Sequence, residues 1–237
     1  MFKSLVLGPM LVLLSAGISS ATVLTFDQCG TAPNSAIQSV CNSGDLNTAY
    51  GNRVASGSQN GGLFQYGNNG EGFTPNVTTS WGRGLKGWST EYSNLTNVIW
   101  ATGDVGQIAL TLNADPGYQV SLLGLDLGAY RASLGPVTVQ VTDQSSSVLY
   151  NQTFASINDT TATSITFAGV QSGVGGSLNL IIDLSALGFG GANFDRESIG
   201  ADNISFSQLE PAPEPGTFVL LGAGFAGLLV ARRRLQA

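Results

Sequence analysis

Residues 107–127 read QIALTLNADPGYQVSLLGLDL, and this stretch decides the fold class. Its first part, Gln107–Leu112, alternates apolar and polar side chains, the period of a β-strand with one buried face. The triplet Asp115-Pro116-Gly117 then supplies residues typical of a tight turn. A second apolar segment, Leu122–Leu127, follows. The stretch therefore predicts two strands joined by a turn.

The same pattern continues on both sides of this stretch. Further strand candidates alternate in polarity or are rich in β-branched and aromatic residues; they are Asn97–Trp100, Val137–Thr142, Val148–Phe154, Thr163–Phe167 and Leu178–Leu184. Turn residues separate them at Gly135-Pro136, at 143–146 and at 173–176. No helix of three turns with an amphipathic stripe is evident before residue 211. Many short strands predict an all-β domain, an antiparallel β-sandwich or jelly roll.

Composition narrows the function classes. Between residues 22 and 210 there are five basic residues against fourteen acidic ones, a formal charge of −9. Nucleic acid and anionic lipid surfaces require basic patches, so neither is an expected partner. The chain has no histidine. This excludes Ser-His and Cys-His nucleophile pairs and the ordinary zinc site.

The N-terminus has the order of a secretory signal peptide. Lys3 is followed by an apolar run and then by small residues ending at Ala21, which predicts a signal peptide over 1–21 and cleavage before Thr22. A membrane anchor is the alternative, but an apolar core of about ten residues is too short to span the bilayer. In an oxidising compartment, Cys29 and Cys41 are expected to form a disulfide; a catalytic thiol is the alternative.

The C-terminus has three ordered parts over 211–237. Pro213-Glu214-Pro215-Gly216 is expected to form a stiff, extended spacer, because proline is excluded from helix interiors. Residues 217–231 are uncharged and predict a short transmembrane helix. The cluster Arg232-Arg233-Arg234 follows and is expected to stay on the cytoplasmic side, so the domain at 22–210 faces outward.

These three parts resemble the PEP-CTERM sorting signal of Gram-negative bacteria. The resemblance covers about the last 25 residues and is specific because the parts are in order at the extreme C-terminus. It implies recognition by a membrane-embedded exosortase, cleavage near the Pro-Glu-Pro triplet, and release or attachment at the cell surface. Proteins with this signal are often linked to exopolysaccharide and biofilm. The region also resembles the segment known as the ice-binding protein C-terminal domain, which describes a tail and gives no reason to infer ice binding.

Two groups of residues in the domain are candidates for ligand binding. Asp27 and Asp202 follow the expected first strand and lie in the expected last strand, which are neighbours in jelly rolls, so they could bind a structural calcium ion. This resembles the calcium site of carbohydrate-binding-module-like sandwiches; the alternative is two strand-end residues. Trp81, Trp88 and Tyr92, with nearby Trp100, could stack on sugar rings, although tryptophan in a sandwich more often packs in the core.

Catalysis is not expected. Glycoside hydrolysis needs only two suitably spaced acids, but pairs such as Glu71 with Glu91, or Asp195 with Glu197, occur in any acidic domain. No cofactor is required. The sequence therefore predicts a non-catalytic exported surface or matrix protein, with the secretion machinery, exosortase and exopolysaccharide as partners and the membrane as a temporary one. The alternative is a secreted carbohydrate-binding module or glycan-active enzyme.

Overall fold

The computed structural model describes residues 21–26, 45–46, 48, 50–54, 72–188, 196–210, 221–225, 228 and 232. Within them the chain forms eleven β-strands: β1 (Thr22–Leu24), β2 (Val77–Trp81), β3 (Leu85–Trp88), β4 (Val98–Ala101), β5 (Gln107–Ala114), β6 (Gln119–Ala129), β7 (Val137–Asp143), β8 (Val148–Phe154), β9 (Thr163–Thr166), β10 (Ser177–Asp183) and β11 (Ile199–Leu209). A 3₁₀ turn, Arg196–Ser198, leads into β11.

The strands form two antiparallel sheets. One has six strands in the order β3-β4-β11-β6-β9, with β1 also pairing with β11. The other has five strands in the order β2-β5-β10-β7-β8. Most strands that are consecutive in sequence, such as β5 and β6, lie in different sheets, while β3 with β4 and β7 with β8 pair within one sheet, so the chain passes repeatedly from one layer to the other. The predicted all-β sandwich is confirmed.

One hydrophobic core lies between the sheets. Every second residue of the central strands of the five-stranded sheet is buried, as the alternating sequence predicts. These buried side chains include Ile108, Leu110, Leu112, Val137, Val139, Val141, Leu178, Leu180 and Ile182. The opposing layer contributes Leu122, Leu125, Leu127, Ile204 and Phe206.

The expected pairing of the first and last strands is also confirmed. Thr22 lies opposite Phe206, and Leu24 lies opposite Ile204. On its other side β11 pairs with β6 from Ile199 to Leu209, with a bulge between Asp202 and Ser205. β11 is therefore a central strand of the six-stranded sheet.

Short segments before β2 run along the edges of both sheets. The Leu46 amide donates to the Leu85 carbonyl oxygen (2.8 Å), next to a bridge between Asp45 and Lys86. The Arg53 amide donates to the Val77 carbonyl oxygen (2.9 Å). Both β3 and β2 are therefore covered on their outer edges by the chain itself.

An ion pair fixes the second of these segments to the turn predicted at 115–117. Arg53 donates from Nη1 and Nη2 to the two carboxylate oxygens of Asp115, at 2.6 and 2.7 Å, and from Nη1 to the Pro75 carbonyl oxygen at 3.0 Å. The hydrogen bonds from Arg53 lower the pKa of Asp115. A carboxyl group whose pKa is lower in the folded state than in the unfolded state stabilises the fold at any pH above the unfolded-state pKa. That stabilisation is lost as the pH falls through the folded-state pKa.

We expect Asp115→Asn to destabilise the chain slightly near neutral pH and not at all in strong acid. The pair is partly exposed, so the loss should stay within about 1 kcal/mol. Urea unfolding of the unmodified protein and of Asp115→Asn at several pH values measures the difference in free energy of unfolding. Glu210→Gln is the control, because Glu210 is exposed. A difference that grew as pH fell would contradict this sign.

Several sequence predictions concern residues outside the described ones. The signal peptide, Cys29, Cys41, Asp27 and the Pro213–Gly216 spacer lie there, as does most of 217–231. Residues 221–225, 228 and 232 are helical and, where their exposure is described, exposed. In the part of the chain that the structure describes, no helix has the length and apolar character needed to cross a membrane.

Candidate functional site

Four aromatic side chains form a patch on the outer face of the six-stranded sheet. We call Trp88, Tyr92, Trp100 and Tyr130 the aromatic patch. Trp88 lies opposite Val98 in β3 and β4, and Trp100 follows Ile99, which points into the core. Because side chains alternate along a strand, Trp88 and Trp100 point away from the core. They pack with Tyr92 and Tyr130 in a small cluster separate from the main core.

Two glycines let the segment containing Tyr92 lie directly on the sheet. A Cβ atom at Gly128 would approach the Tyr92 carbonyl oxygen to 2.6 Å, and one at Gly200 would approach the Tyr92 ring to 2.7 Å. Gly128 and Gly200 are paired across β6 and β11. The two neighbouring glycines therefore form a shallow seat for Tyr92.

The patch differs in accessibility from ring to ring. Tyr92 is only 5% exposed, and its hydroxyl donates to the Glu197 carbonyl oxygen at 2.5 Å. Trp88 and Trp100 are partly exposed, with the Trp88 ring edge-on to Tyr130 at 6.5 Å between centroids. The Nε1 atoms of Trp88 and Trp100 are buried and have no hydrogen-bond partner among the residues that the structure describes. Tyr92 therefore supports the patch, and the two indoles present part of their rings to solvent.

Charged groups lie at the rim of the patch. The Arg131 guanidinium lies 4.7 Å from the centroid of the Tyr130 ring and bonds Glu91 at 2.6 Å. The hydrogen bond between Glu91 and the Tyr130 hydroxyl raises the pKa of Tyr130. The same hydrogen bond is the main cause of a lowered pKa of Glu91, and the hydrogen bond and positive charge of Arg131 lower this pKa further. The rim therefore offers a fixed cation, a carboxylate and a phenol beside the rings.

Trp81 is not part of this patch. It is 8% exposed and lies in the core, where its Nε1 donates to the Tyr50 carbonyl oxygen at 2.7 Å. Its ring is edge-on to Phe26, which stacks on Tyr50 at 4.9 Å. Of the three residues predicted to stack on sugars, Trp81 and Tyr92 are buried. Trp81 shares the inward face of β2 with Val77 and Thr79, whereas Tyr92 is covered in the aromatic patch. Among these three residues, only Trp88 has a partly exposed ring.

Asp202 lies beside a second acid that the sequence did not indicate. It is 4% exposed and pairs directly across the sheet with Asp126. Asn203 links the two, since its Nδ2 donates to Asp126 and its backbone amide to Asp202, both at 2.7 Å. In the described part of the chain, no group of three or more His, Cys, Asp or Glu residues is arranged to hold a metal. Calcium at Asp27 and Asp202 stays a prediction.

Each of the two pairs of acids considered for catalysis, Glu71 with Glu91 and Asp195 with Glu197, has one member among the described residues. Glu91 is paired with Arg131, and Glu197 accepts the Gly103 amide at 2.9 Å. Glu71 and Asp195 lie outside the described residues. Each pair therefore has only one described member, Glu91 or Glu197, and a catalytic role for either pair is not tested.

The outer face of the five-stranded sheet is an array of hydroxyl and amide groups, which we call the hydroxyl–amide face. Strand register aligns Ser80, Thr111, Asn179 and Thr142 in one row. Thr111 donates to the Asn179 side chain at 2.9 Å. The other strand residues on this face are mostly polar, with the apolar pair Ala109 and Ile181 and one acid, Asp183; the polar ones include Thr78, Asn113, Ser177, Gln140, Asn151, Gln107, Thr138 and Thr153. This surface is polar but carries almost no charge.

The fold and the tail together define an all-β sandwich followed by a short C-terminal segment rich in proline, glycine and arginine. Residues 211–234 match the family model of the PEP-CTERM protein-sorting motif. The resemblance noted in the sequence is confirmed for this region. The motif indicates export and sorting to the cell surface, with exosortase as the enzyme that recognises it.

Solved structures similar to this chain include two carbohydrate-related proteins. The GH26-CBM35 β-(1,4)-mannanase of Podospora anserina is 14% identical, with a TM-score of 0.32 over 59% of this chain and 29% of the mannanase chain. TmCBM61, solved in complex with β-1,4-galactotriose, is 8% identical, with a TM-score of 0.28 over 56% of this chain and 88% of its own. No curated protein has a significantly similar sequence.

Proposed function

We propose that this chain is a non-catalytic protein of the cell surface or extracellular matrix, delivered by exosortase-type sorting and associated with exopolysaccharide. The observation that carries the proposal is the sorting motif at 211–234, C-terminal to a complete sandwich core. The C-terminal motif determines the location of the protein, and the β-sandwich is the domain that is brought to that location.

Mass spectrometry of the protein isolated from the surface of its host tests the sorting part. The expected mature form lacks Met1 to Ala21 and the residues after the Pro-Glu-Pro triplet. A surface protein that retained all residues to Ala237 would overturn exosortase processing.

The aromatic patch supports the association with polysaccharide. The partly exposed rings of Trp88 and Trp100 can stack on the C–H face of a sugar, while Arg131 and Glu91 supply hydrogen bonds to hydroxyl groups. The low content of basic residues favours a neutral glycan over an anionic one, because an acidic domain repels an acidic polymer. The proposed ligand class is therefore a neutral polysaccharide.

We expect Trp88→Ala and Trp100→Ala each to weaken binding of neutral matrix polysaccharide by about two- to twelvefold, the loss of roughly 0.5–1.5 kcal/mol of ring contact. Affinity electrophoresis in gels containing the host's polysaccharide measures this. Phe73→Ala is the matched control, since Phe73 is a 42% exposed ring outside the patch. If the polysaccharide gel slowed all three variants equally, the aromatic patch would not be the binding site.

The same polysaccharide tests the non-catalytic part. After prolonged incubation with the protein, its number of reducing ends is expected to stay constant. New reducing ends would instead support the glycan-active enzyme.

A further inference from the structure

Among the described residues, the two sheets end in the strands β3, β9, β2 and β8, which are not equally protected, and the three-residue strand β1 pairs only with β11. Residues near Leu46 cover β3, and residues near Arg53 cover β2, through the backbone hydrogen bonds described above. On the remaining two edges, β9 has four residues and β8 has seven. An edge strand presents unpaired N–H and C=O groups that can pair with another strand, so β8 is the longest available template.

β8 is exposed along its whole length. Five of its seven residues are exposed, and the other two are partly exposed. Val148 and Leu149 are large apolar side chains that are 57% and 39% exposed. In the part of the chain that the structure describes, β7 is the only strand that pairs with β8.

β8 lacks two of the features that usually protect an edge strand, charge and proline, and its one irregularity is a bulge at Leu149, where Tyr150 and Val148 pair with the consecutive residues Val141 and Thr142. Charged side chains and proline on an edge strand oppose pairing with other strands. Residues 144–158 contain neither a charged residue nor a proline, although the chain as a whole has a net charge of −6. The β8 edge is therefore a long neutral segment on an acidic protein.

We propose that β8 pairs antiparallel with β8 of a second copy of this chain. Charge favours this occupant, because two acidic copies repel each other least where the facing segments carry no charge, and two β8 edges meet this condition. Antiparallel pairing of identical strands is two-fold symmetric, so the interface closes on a dimer. With the two-fold axis at Asn151, the central residue of β8, Tyr150 lies opposite Gln152 of the second copy.

The dimer joins two five-stranded sheets into one sheet of ten strands. Both hydroxyl–amide faces then continue across the junction. Seven residues give a contact about 24 Å long, which is small for a stable interface. Pairing therefore depends on a high local concentration, which sorting of many copies to one surface supplies.

Cysteine cross-linking of the full-length chain in its host tests this proposal. Single cysteines at positions 149 to 153 cover the registers close to the centre of β8. Asn151→Cys is expected to give a reducible dimer on a non-reducing gel, at least tenfold more than Thr166→Cys. Thr166 is the matched control, an exposed residue on the short edge strand β9.

A second variant separates strand pairing from random collision. Adding Leu149→Lys to Asn151→Cys puts two like charges into the junction and is expected to remove the dimer. The proposal is overturned if no cysteine from 149 to 153 yields a dimer, if Thr166→Cys yields as much, or if the lysine has no effect. The experiment measures only the amount of disulfide-linked dimer and adds no polysaccharide. Its result therefore does not depend on whether the protein binds glycan.

Discussion

Replacing Pro213, Glu214 and Pro215 with alanine is expected to leave the chain uncleaved, with its C-terminus intact in the membrane fraction. The triplet lies inside the matched motif, directly before the apolar segment. Proline restricts the backbone to an extended form that a protease can bind, whereas three alanines favour continuing the following helix upstream. The substitution is therefore expected to remove both the side chains that the sorting enzyme recognises and the backbone restriction that the two prolines impose.

Mass spectrometry and cell fractionation of the two proteins measure this effect, which should be close to complete. Pro116→Ala is the control, because it removes an exposed proline from a turn of the sandwich and leaves the tail unchanged. If the triple-alanine protein were still cleaved and found at the surface, recognition would have to rest on the helix and the arginine cluster.

Trp81→Ala is expected to lower the free energy of unfolding by about 3–5 kcal/mol, the usual range for removing a buried tryptophan. The ring contacts Phe26 after β1 and bonds Tyr50 from the segment before β2. Its loss leaves a cavity where three parts of the chain meet. Urea unfolding followed by circular dichroism measures the change.

Two further substitutions show whether packing is the cause. Trp81→Phe keeps most of the ring and loses the hydrogen bond, so it should cost about 1–2 kcal/mol. Trp88→Ala removes a partly exposed ring and should cost less than Trp81→Ala. Equal losses at Trp81 and Trp88 would mean that Trp81 does not have the buried role described above.

The strand framework was predictable because the alternation of polarity is local. All seven strand candidates correspond to strands, and turns lie where 115–117 and 143–146 predicted them. β2 and β3 were missed because glycines at 82, 84 and 87 interrupt a stretch that was considered for its tryptophans. The signal was present: Val77, Thr79 and Trp81 alternate with polar residues, which places Trp81 inward.

The candidate site was less predictable because it is assembled from distant residues. Trp88 and Tyr130 meet only because β11 lies between β4 and β6. Strand order of this kind depends on packing of the whole sandwich, and the sequence around Tyr130 has no feature that indicates it. The proximity of Asp126 to Asp202 depends on the same pairing.

The central position of β11 has a mechanical consequence. A chain held by its C-terminal end receives any pulling force at Leu209, the last residue of a strand that pairs with β6 on both sides of the bulge between Asp202 and Ser205. Force along the strand loads these hydrogen bonds together in shear, whereas force on an edge hairpin would open them one after another. Forced unfolding is governed by the height of the unfolding barrier. The sandwich is therefore oriented to resist drag when its C-terminal end is the point of attachment.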